Sequence, residues 1–237
     1  MRLNRYLDWR LIASIILPLI FLLNGCDSVN PPVESSTTCP PTLLYYQKVY
    51  HTVKIEEQCW MKENLDVGVM MSGDKSSTDN DTIDKYCYDE DPSNCNSLGG
   101  LYEWDEAMRY SEISGGRGIC PPGWHIPTWG DYLILKGAVD EDGRALMEIE
   151  EAGGSFDGTN TSGFSALLTG VRDADGSYLS IELYTSIWSS TLEHIVYPSN
   201  EGLSRPSNLA LYGGGGNIYL QFSDRRIGKS IRCLKNR

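Results

Sequence analysis

Basic residues, histidine and phenylalanine are all scarce in this chain of 237 residues. Its 20 Lys and Arg residues face 32 Asp and Glu residues, which gives a formal net charge of -12 at pH 7. A protein that binds the phosphate backbone needs a basic surface, so this balance argues against nucleic acid as a partner. The histidines, His51, His125 and His194, are far apart, and the cysteines form no C-x-x-C pair, so a zinc site is not expected.

Long apolar runs are also absent, apart from one stretch near the N-terminus. This stretch, from Leu11 to Leu23, follows three arginines; it is too short for a permanent membrane span but suits the core of a signal peptide. We therefore predict that residues 1–25 are a signal peptide. The stretch ends at Leu23-Asn24-Gly25-Cys26, which resembles the bacterial lipobox and predicts a lipid on Cys26. The alternative is an ordinary cleaved signal followed by a structural cysteine.

Residues 26–42 carry several prolines and hydroxyl side chains and almost no apolar residue, which is typical of a tether. A lipid on Cys26 would make the membrane a partner of the protein. We therefore expect a protein of the bacterial cell envelope, lipid-anchored in the outer membrane or at the cell surface. The remaining six cysteines form an even number in an exported chain, which indicates disulfides but leaves 15 possible pairings.

The pattern from residue 43 onward predicts helices first and strands later. We expect one or two strands over 43–55, a surface loop over 68–85, and short helices near 101–110, 129–138 and 143–151. Thr128 and Asp131 form a capping box at the second of these helices. From Phe164 onward, short apolar runs alternate with Gly, Asn, Asp and Pro, as in antiparallel strands with long loops. The fold class is therefore α+β, with one domain over 43–237.

Several segments in this region resemble, in order, the FISUMP family, the Fibrobacter succinogenes major paralogous domain. They are Gln58–Leu65, Cys87–Cys95, Gly100–Trp104, Gly118–Thr128, Gly163–Leu167, Gly170–Gly176, Trp188–Thr191 and Ser230–Lys235. The resemblance implies an exported, often lipid-anchored bacterial domain with no established general activity. It also implies a C-type-lectin-like fold, in which the terminal strand returns beside the N-terminal one.

Three disulfides are predicted to cross-link this domain. Cys39 with Cys59 would join the tether to the opening strands. Cys87 with Cys95 would close a short acidic loop whose Asp-Pro-Ser-Asn sequence favours a turn. Cys120 with Cys233 would join the entry to the second helix to the final strand.

The candidate catalytic and metal motifs do not satisfy their spacing requirements. Asp173-Ala-Asp175-Gly176 does not fit a calcium loop, and it reads better as a hairpin turn. Ser189 or Ser190 with His194 lacks the surroundings of a serine nucleophile, so we expect these hydroxyls to bond backbone groups. The formylglycine-generating enzymes of the lectin-like group need two nearby C-terminal cysteines, and only Cys233 lies there. No catalytic residue, metal ligand or cofactor is therefore predicted.

The candidate ligand-binding residues are aromatic. Four tryptophans inside the family segments, Trp60, Trp104, Trp124 and Trp188, are expected in the core. Four other rings lie nearer loops, where they could stack on a sugar or contact a protein: Trp129, Tyr197, Tyr212 and Tyr219.

The sequence therefore favours a non-enzymatic binding or adhesion module for a polysaccharide or a protein partner, using the loops 68–85 and 193–217. Two alternatives stay open. One is an enzyme on the same scaffold, either an oxidase of the formylglycine-generating type or a carbohydrate hydrolase. The other is a purely structural envelope protein. A pair of buried carboxylates with shifted pKa values in one cleft would indicate the enzyme, and an exposed aromatic patch the binder.

Overall fold

The fold is described from a computed structural model, for residues 38–149, 158–196 and 202–237. In chain order, its strands are β1 (Thr42–Tyr45), β2 (Lys48–Ile55), β3 (Gln58–Met61), β4 (Val69–Met70), β5 (Asp84–Lys85), β6 (Trp124–His125), β7 (Thr169–Arg172), β8 (Tyr178–Ile181), β9 (Tyr184–Val196), β10 (Gly202–Tyr212), β11 (Ile218–Phe222) and β12 (Leu234–Lys235). Its α-helices are α1 (Pro92–Leu98), α2 (Trp104–Ala107) and α3 (Trp129–Ala138). Cys26 and Tyr197, named above as candidates, lie outside the described residues.

One five-stranded sheet joins the two ends of the described chain. Its strand order is β1-β2-β3-β12-β6, so the last strand pairs with the third one, with Leu234 opposite Trp60. The turn between β1 and β2 contains Tyr46 and Gln47, both with positive φ, as expected for a two-residue hairpin turn. The terminal strand therefore returns beside the N-terminal strands, as the family resemblance implied.

The second five-stranded sheet has the order β11-β10-β9-β7-β8 and carries the candidate site. Its centre is the long antiparallel hairpin of β9 and β10, and β11 pairs only with Ser207–Leu211 of β10. Because side chains alternate along a strand, Leu209 and Leu211 point toward the core and Ala210 and Tyr212 lie on the opposite face.

Helix α3 covers the core face of this second sheet. Thr128 accepts a hydrogen bond from the backbone of Asp131, and Asp131 in turn accepts one from the backbone of Thr128. This is the capping box that the sequence predicted, and the helix runs over the predicted residues. Tyr132 and Leu135 on its inner face are buried against Trp60, whose ring stacks on Tyr132 at 5.7 Å.

The core is largely aromatic, which compensates for the shortage of phenylalanine. Trp60, Trp104, Trp124 and Trp188 are all buried, as expected. Truncation of such a side chain typically lowers the free energy of unfolding by about 3–5 kcal/mol. These rings therefore stabilise the fold and are not available to a ligand.

The structure contains the three predicted disulfides. Cys39 is bonded to Cys59, Cys87 to Cys95, and Cys120 to Cys233. The prediction for the segment between Cys87 and Cys95 was nevertheless incomplete. The Asp-Pro-Ser-Asn segment begins helix α1, with Asp91 as its N-cap and Pro92 at the first helical position, instead of forming an isolated turn.

Two predicted helices are shorter than expected. The helix near 101–110 is reduced to α2, because Tyr102 bridges Lys229 in extended conformation and the chain adopts positive φ at Arg109. Asp105 pairs with Arg225 and not with Arg109, which instead pairs with Glu106. The helix predicted from residue 143 is only a 3-10 turn at Gly143–Ala145, and residues 150–157 lie outside the description.

The late strands agree with the prediction apart from their ends. The segment from Phe164 becomes a strand only at β7, and the C-terminal run forms a strand only at β12, with an isolated bridge at Ser230. The mixture of short helices and mainly antiparallel strands confirms the α+β class. The C-type-lectin-like assignment stays a prediction. Among the described helices, none is long and apolar enough to cross a membrane.

Candidate functional site

Three tyrosines lie together on the outer face of the second sheet. Tyr184 begins β9 and lies directly opposite Tyr212, the last residue of β10. Tyr219 on β11 is opposite Ala210, which lies two residues before Tyr212 and on the same face. We call Tyr184, Tyr212 and Tyr219, with the side chains of Asn217 and Gln221, the tyrosine patch.

The three rings contact one another in series. The centroids of Tyr184 and Tyr212 are 4.7 Å apart, and those of Tyr212 and Tyr219 are 5.4 Å apart with an edge-to-face angle of 87°. Tyr212 and Tyr219 are each 44% exposed, whereas Tyr184 is half-buried. Tyrosine favours strands, and the small Ala210 leaves room for the rings above the sheet. The result is an exposed aromatic surface on a rigid scaffold.

Two amide side chains form hydrogen bonds with tyrosine hydroxyl groups of the patch. Gln221 donates to the Tyr184 hydroxyl at 3.1 Å, and Asn217 donates to the Tyr219 hydroxyl at 3.3 Å. Burial raises the pKa of Tyr184, so its hydroxyl stays protonated at neutral pH. The patch therefore consists of uncharged rings, hydroxyls and amides. Such groups suit a ligand with apolar faces and many hydroxyls.

The structure brings together only some of the aromatic residues that the sequence analysis proposed for ligand binding. Tyr212 and Tyr219 come together, but Trp129 lies at the start of α3, where its ring stacks on Phe222 at 5.1 Å. Sequence reasoning missed Tyr184, because the sequence gives no register that places this strand start opposite Tyr212. The short apolar runs SYLSIEL and SIWSS lie on either side of Tyr184, and they were the available signal that it lies near the start of a strand.

The two predicted binding loops differ from the prediction. The 68–85 segment is tied to the body, because Arg172 donates to the carbonyl oxygens of Gly73 and Lys75. Most of the described part of 193–217 is strand, since β9 and β10 form a hairpin. A loop was therefore the wrong description of most of the described part of 193–217, and the exposed tyrosines lie on strands and at strand ends.

Two cavities open near the second sheet. One, of about 380 Å³, has a largely aliphatic lining that includes Leu98, Leu168 and Ile181 and reaches Ile149, next to residues outside the description. The other has a volume of about 440 Å³ and lies where β11 ends beside β10. We call it the arginine cavity. Its lining consists of Ser204, Arg205, Phe222, Ser223, Asp224, Arg225, Arg226 and Ile227.

The candidate catalytic and metal motifs have structural roles. Ser190 accepts a hydrogen bond from the backbone of Gly115 and donates to the carbonyl of Pro127. Asp173 and Asp175 organise the turn between β7 and β8. Within the described residues, no group of three or more His, Cys, Asp or Glu side chains is placed to hold a metal ion.

The two most buried carboxylates bond neighbouring groups. Glu103 pairs with Arg172 at 3.1 Å and accepts from Tyr86 and Ser77. Burial raises the pKa of Glu106, which pairs with Arg109 at 2.8 Å. Neither carboxylate lines the two cavities described above. They do not form the catalytic pair of a hydrolase at these cavities.

These features define an α+β domain with three disulfides and a solvent-facing aromatic patch. The family model of the Fibrobacter succinogenes major domain matches residues 53–235, and the chain belongs to this family. The match confirms the resemblance drawn from the eight sequence segments. No curated protein and no solved structure shows a significant match to the chain.

Proposed function

We propose that the protein is a non-enzymatic binding module of the bacterial cell envelope, anchored by a lipid on Cys26, whose tyrosine patch binds polysaccharide. The observation that carries this proposal is the exposed contact series of Tyr184, Tyr212 and Tyr219. An aromatic face packs against the C–H face of a sugar ring, and neighbouring amides exchange hydrogen bonds with its hydroxyls.

The rigidity of the patch also supports binding. Tyr184 and Tyr212 are paired across a long hairpin, and amide contacts hold the hydroxyls of Tyr184 and Tyr219. A surface that is already ordered loses less conformational entropy when a ligand binds. A polymer with repeating sugar units would contact several rings at once, which increases the total affinity.

The N-terminal sequence supports the location. The apolar stretch ends directly at Cys26, where a lipid would anchor the protein. The full chain has a net charge of -12, and removal of residues 1–25 would take away more basic than acidic residues, so anionic lipid surfaces would repel the mature protein. The lipid would therefore hold the protein at the membrane while the tyrosine patch binds a polymer.

The test is a glycan and cell-wall polysaccharide array with the detergent-extracted protein. We expect Tyr212→Ala and Tyr219→Ala each to weaken binding to the array hits by about tenfold, as for an interface hot spot. Tyr46→Ala removes an exposed tyrosine from the turn between β1 and β2 and is the control, with affinity unchanged.

Equal affinity for the wild type and both patch variants would overturn the proposed surface. An array without hits, together with a defined protein ligand whose affinity falls in the patch variants, would replace polysaccharide with protein. Release of shortened sugar chains from a bound polymer would contradict the non-enzymatic assignment.

A further inference from the structure

Lys229 is a buried cation that contacts only uncharged groups. Its side chain is 2% exposed, and Nζ donates to Asn208 Oδ1 at 2.9 Å and to Ser223 Oγ at 2.7 Å. The ammonium also lies 4.3 Å from the centroid of the Trp188 ring. Among the described residues, no carboxylate forms an ion pair with it. A buried charge without a counter-ion is unfavourable, and burial accordingly lowers the pKa of Lys229 to about 7.

Ser223 links this lysine to the arginine cavity. Its hydroxyl accepts the hydrogen bond from Lys229, donates one to Asn208 Oδ1 at 2.8 Å, and also lines the cavity of about 440 Å³. A ligand atom that contacts Ser223 would therefore lie one side chain away from the buried ammonium. Of the three side chains around the ammonium, Asn208, Ser223 and Trp188, Ser223 is the one that lines this cavity.

The charges in the cavity are only partly balanced. Arg226 forms a two-pronged contact with Asp224, at 2.6 Å and 3.1 Å, and Arg225 is shared between Asp105 and Glu112. Arg205 makes no direct ion pair with another described residue, although its charge helps to lower the pKa of Asp224 from a longer distance. The lining therefore carries three arginines and one carboxylate, Asp224, and Lys229 adds positive charge behind it. One further donor of the lining, Nε of Arg225, is buried without a hydrogen-bond partner.

The remaining lining offers the contacts that a sugar ring needs. Phe222 forms an apolar wall, fixed by its stacking on Trp129 with an angle of 5° between the rings. Ser204 and Ser223 supply hydroxyl groups at the same cavity. An apolar wall, hydroxyls and uncompensated positive charge occur together here, whereas the tyrosine patch is uncharged.

We propose that the arginine cavity is a second binding site, which takes an anionic sugar unit through a carboxylate or sulfate group held by Arg205 and attracted by the charge of the buried Lys229 behind Ser223. The choice of a sugar rests on the proposed function, and the site adds a preference for acidic polysaccharides. Two N–H groups of an arginine guanidinium can donate in parallel to two oxygens of a carboxylate or a sulfate. The bound anion supplies the counter-ion that the buried lysine lacks.

Calorimetric titration of the detergent-extracted protein with trigalacturonic acid tests the carboxylate. Its methyl ester is the matched neutral ligand, and a sulfated galactose trisaccharide tests sulfate. We expect an anionic ligand to bind and the ester to bind at least about tenfold more weakly. Equal affinity for acid, ester and sulfated sugar, or no binding by any of them, would overturn the proposal.

Variants of two opposed residues on the hairpin refine this test. Arg205→Gln removes the exposed cation, and we expect it to weaken binding of the acid by about tenfold. Glu193 lies directly opposite Arg205 in the β9–β10 register, so Glu193→Gln should strengthen binding by about twofold. A folding defect would not produce this gain. Unchanged affinity in both variants would overturn the assignment of Arg205.

The proposal for the tyrosine patch and the proposal for the arginine cavity can be overturned independently of each other. Tyr212→Ala reports on the tyrosine patch and Arg205→Gln on the arginine cavity. If Tyr212→Ala leaves array binding intact while Arg205→Gln weakens binding of the acid, the proposed role of the tyrosine patch is overturned and the proposed site in the arginine cavity is retained. The opposite pattern retains the proposed function and overturns this inference.

The pH dependence tests the part played by Lys229. The side chains facing its ammonium, Asn208, Ser223 and Trp188, do not titrate between pH 6 and 8. The charged groups of the adjoining lining are Asp224, whose pKa is lowered by its hydrogen bond with Arg226, and the arginines Arg205, Arg225 and Arg226. Because only protonated lysine attracts an anion, binding should strengthen as the pH falls through about 7.

Lys229→Arg keeps the charge and should remove this pH dependence while retaining affinity. Lys229→Met should weaken binding at pH 6. Histidine in general can change its charge between pH 5 and 8, and His194 lies opposite Ser204 in the register, so His194→Gln is the control and should retain the pH dependence. If His194→Gln abolishes the dependence and Lys229→Arg retains it, the role of Lys229 is wrong.

Discussion

Arg172 and Glu103 form a buried ion pair, with Nη1 of the arginine 3.1 Å from Oε1 of the glutamate. The same guanidinium donates to the carbonyl oxygens of Gly73, Lys75 and Arg226. It therefore joins the long 68–85 segment to the second sheet and to the C-terminal segment. This contact explains why a stretch that is polar in sequence does not form a free loop.

Loss of this arginine should destabilise the whole domain. Arg172→Met leaves the Glu103 carboxylate buried and three carbonyl oxygens without their donor, so we expect the free energy of unfolding to fall by about 3–5 kcal/mol. Lys54→Met, at an exposed pair with Glu57, is the control and should lower the free energy of unfolding far less. Urea unfolding measures both, and equal losses would contradict the role of the buried pair.

The long disulfide should stabilise the fold more than the short one. Cys120 and Cys233 are separated by 113 positions, and Cys87 and Cys95 by 8. The chain-entropy model predicts a loss of about 5 kcal/mol for removal of the first bond and about 2.5 kcal/mol for the second. Paired Cys→Ala variants, compared by denaturant unfolding, check the order. A larger loss for the short loop would show that entropy of the unfolded chain does not set the difference.

Acid should weaken the start of α3. Burial raises the pKa of Asp131, but hydrogen bonds from His125 and Thr128 outweigh burial and lower it to about 2. Because the folded-state pKa lies below the unfolded one, this stabilisation is present above about pH 4 and is lost as the pH falls toward 2. The difference in melting temperature between the wild type and Asp131→Asn should therefore shrink over this range. A constant difference would contradict the linkage.

The lipid on Cys26 is open to a direct test. We expect the intact mass of the membrane-extracted protein to correspond to a chain that begins at Cys26 with attached acyl groups. Cys26→Ser should move the protein from the membrane fraction to the soluble fraction, because the anchor is lost. Cys39→Ser is the control and should stay with the membrane. A mature chain that starts at another residue would contradict the lipobox assignment.

The sequence was sufficient for features that depend on local interactions. The capping box at Thr128 and Asp131 lies within one helical turn, and the helix it begins has the predicted length. The buried tryptophans follow from the size and apolar character of the side chain. The family segments identified the domain, and the three cysteine pairs agree with the structure.

Tertiary structure decided what depends on contacts between distant residues. The four-residue spacing of Asp105 and Arg109 suits an ion pair on a helix, but the fold brings Arg225 to Asp105 and ends α2 after one turn. The register of β9 and β10 places Tyr184 beside Tyr212, and the C-terminal segment buries Lys229 behind Ser223. Strand register and burial are set by packing across the whole domain, which local preferences do not specify.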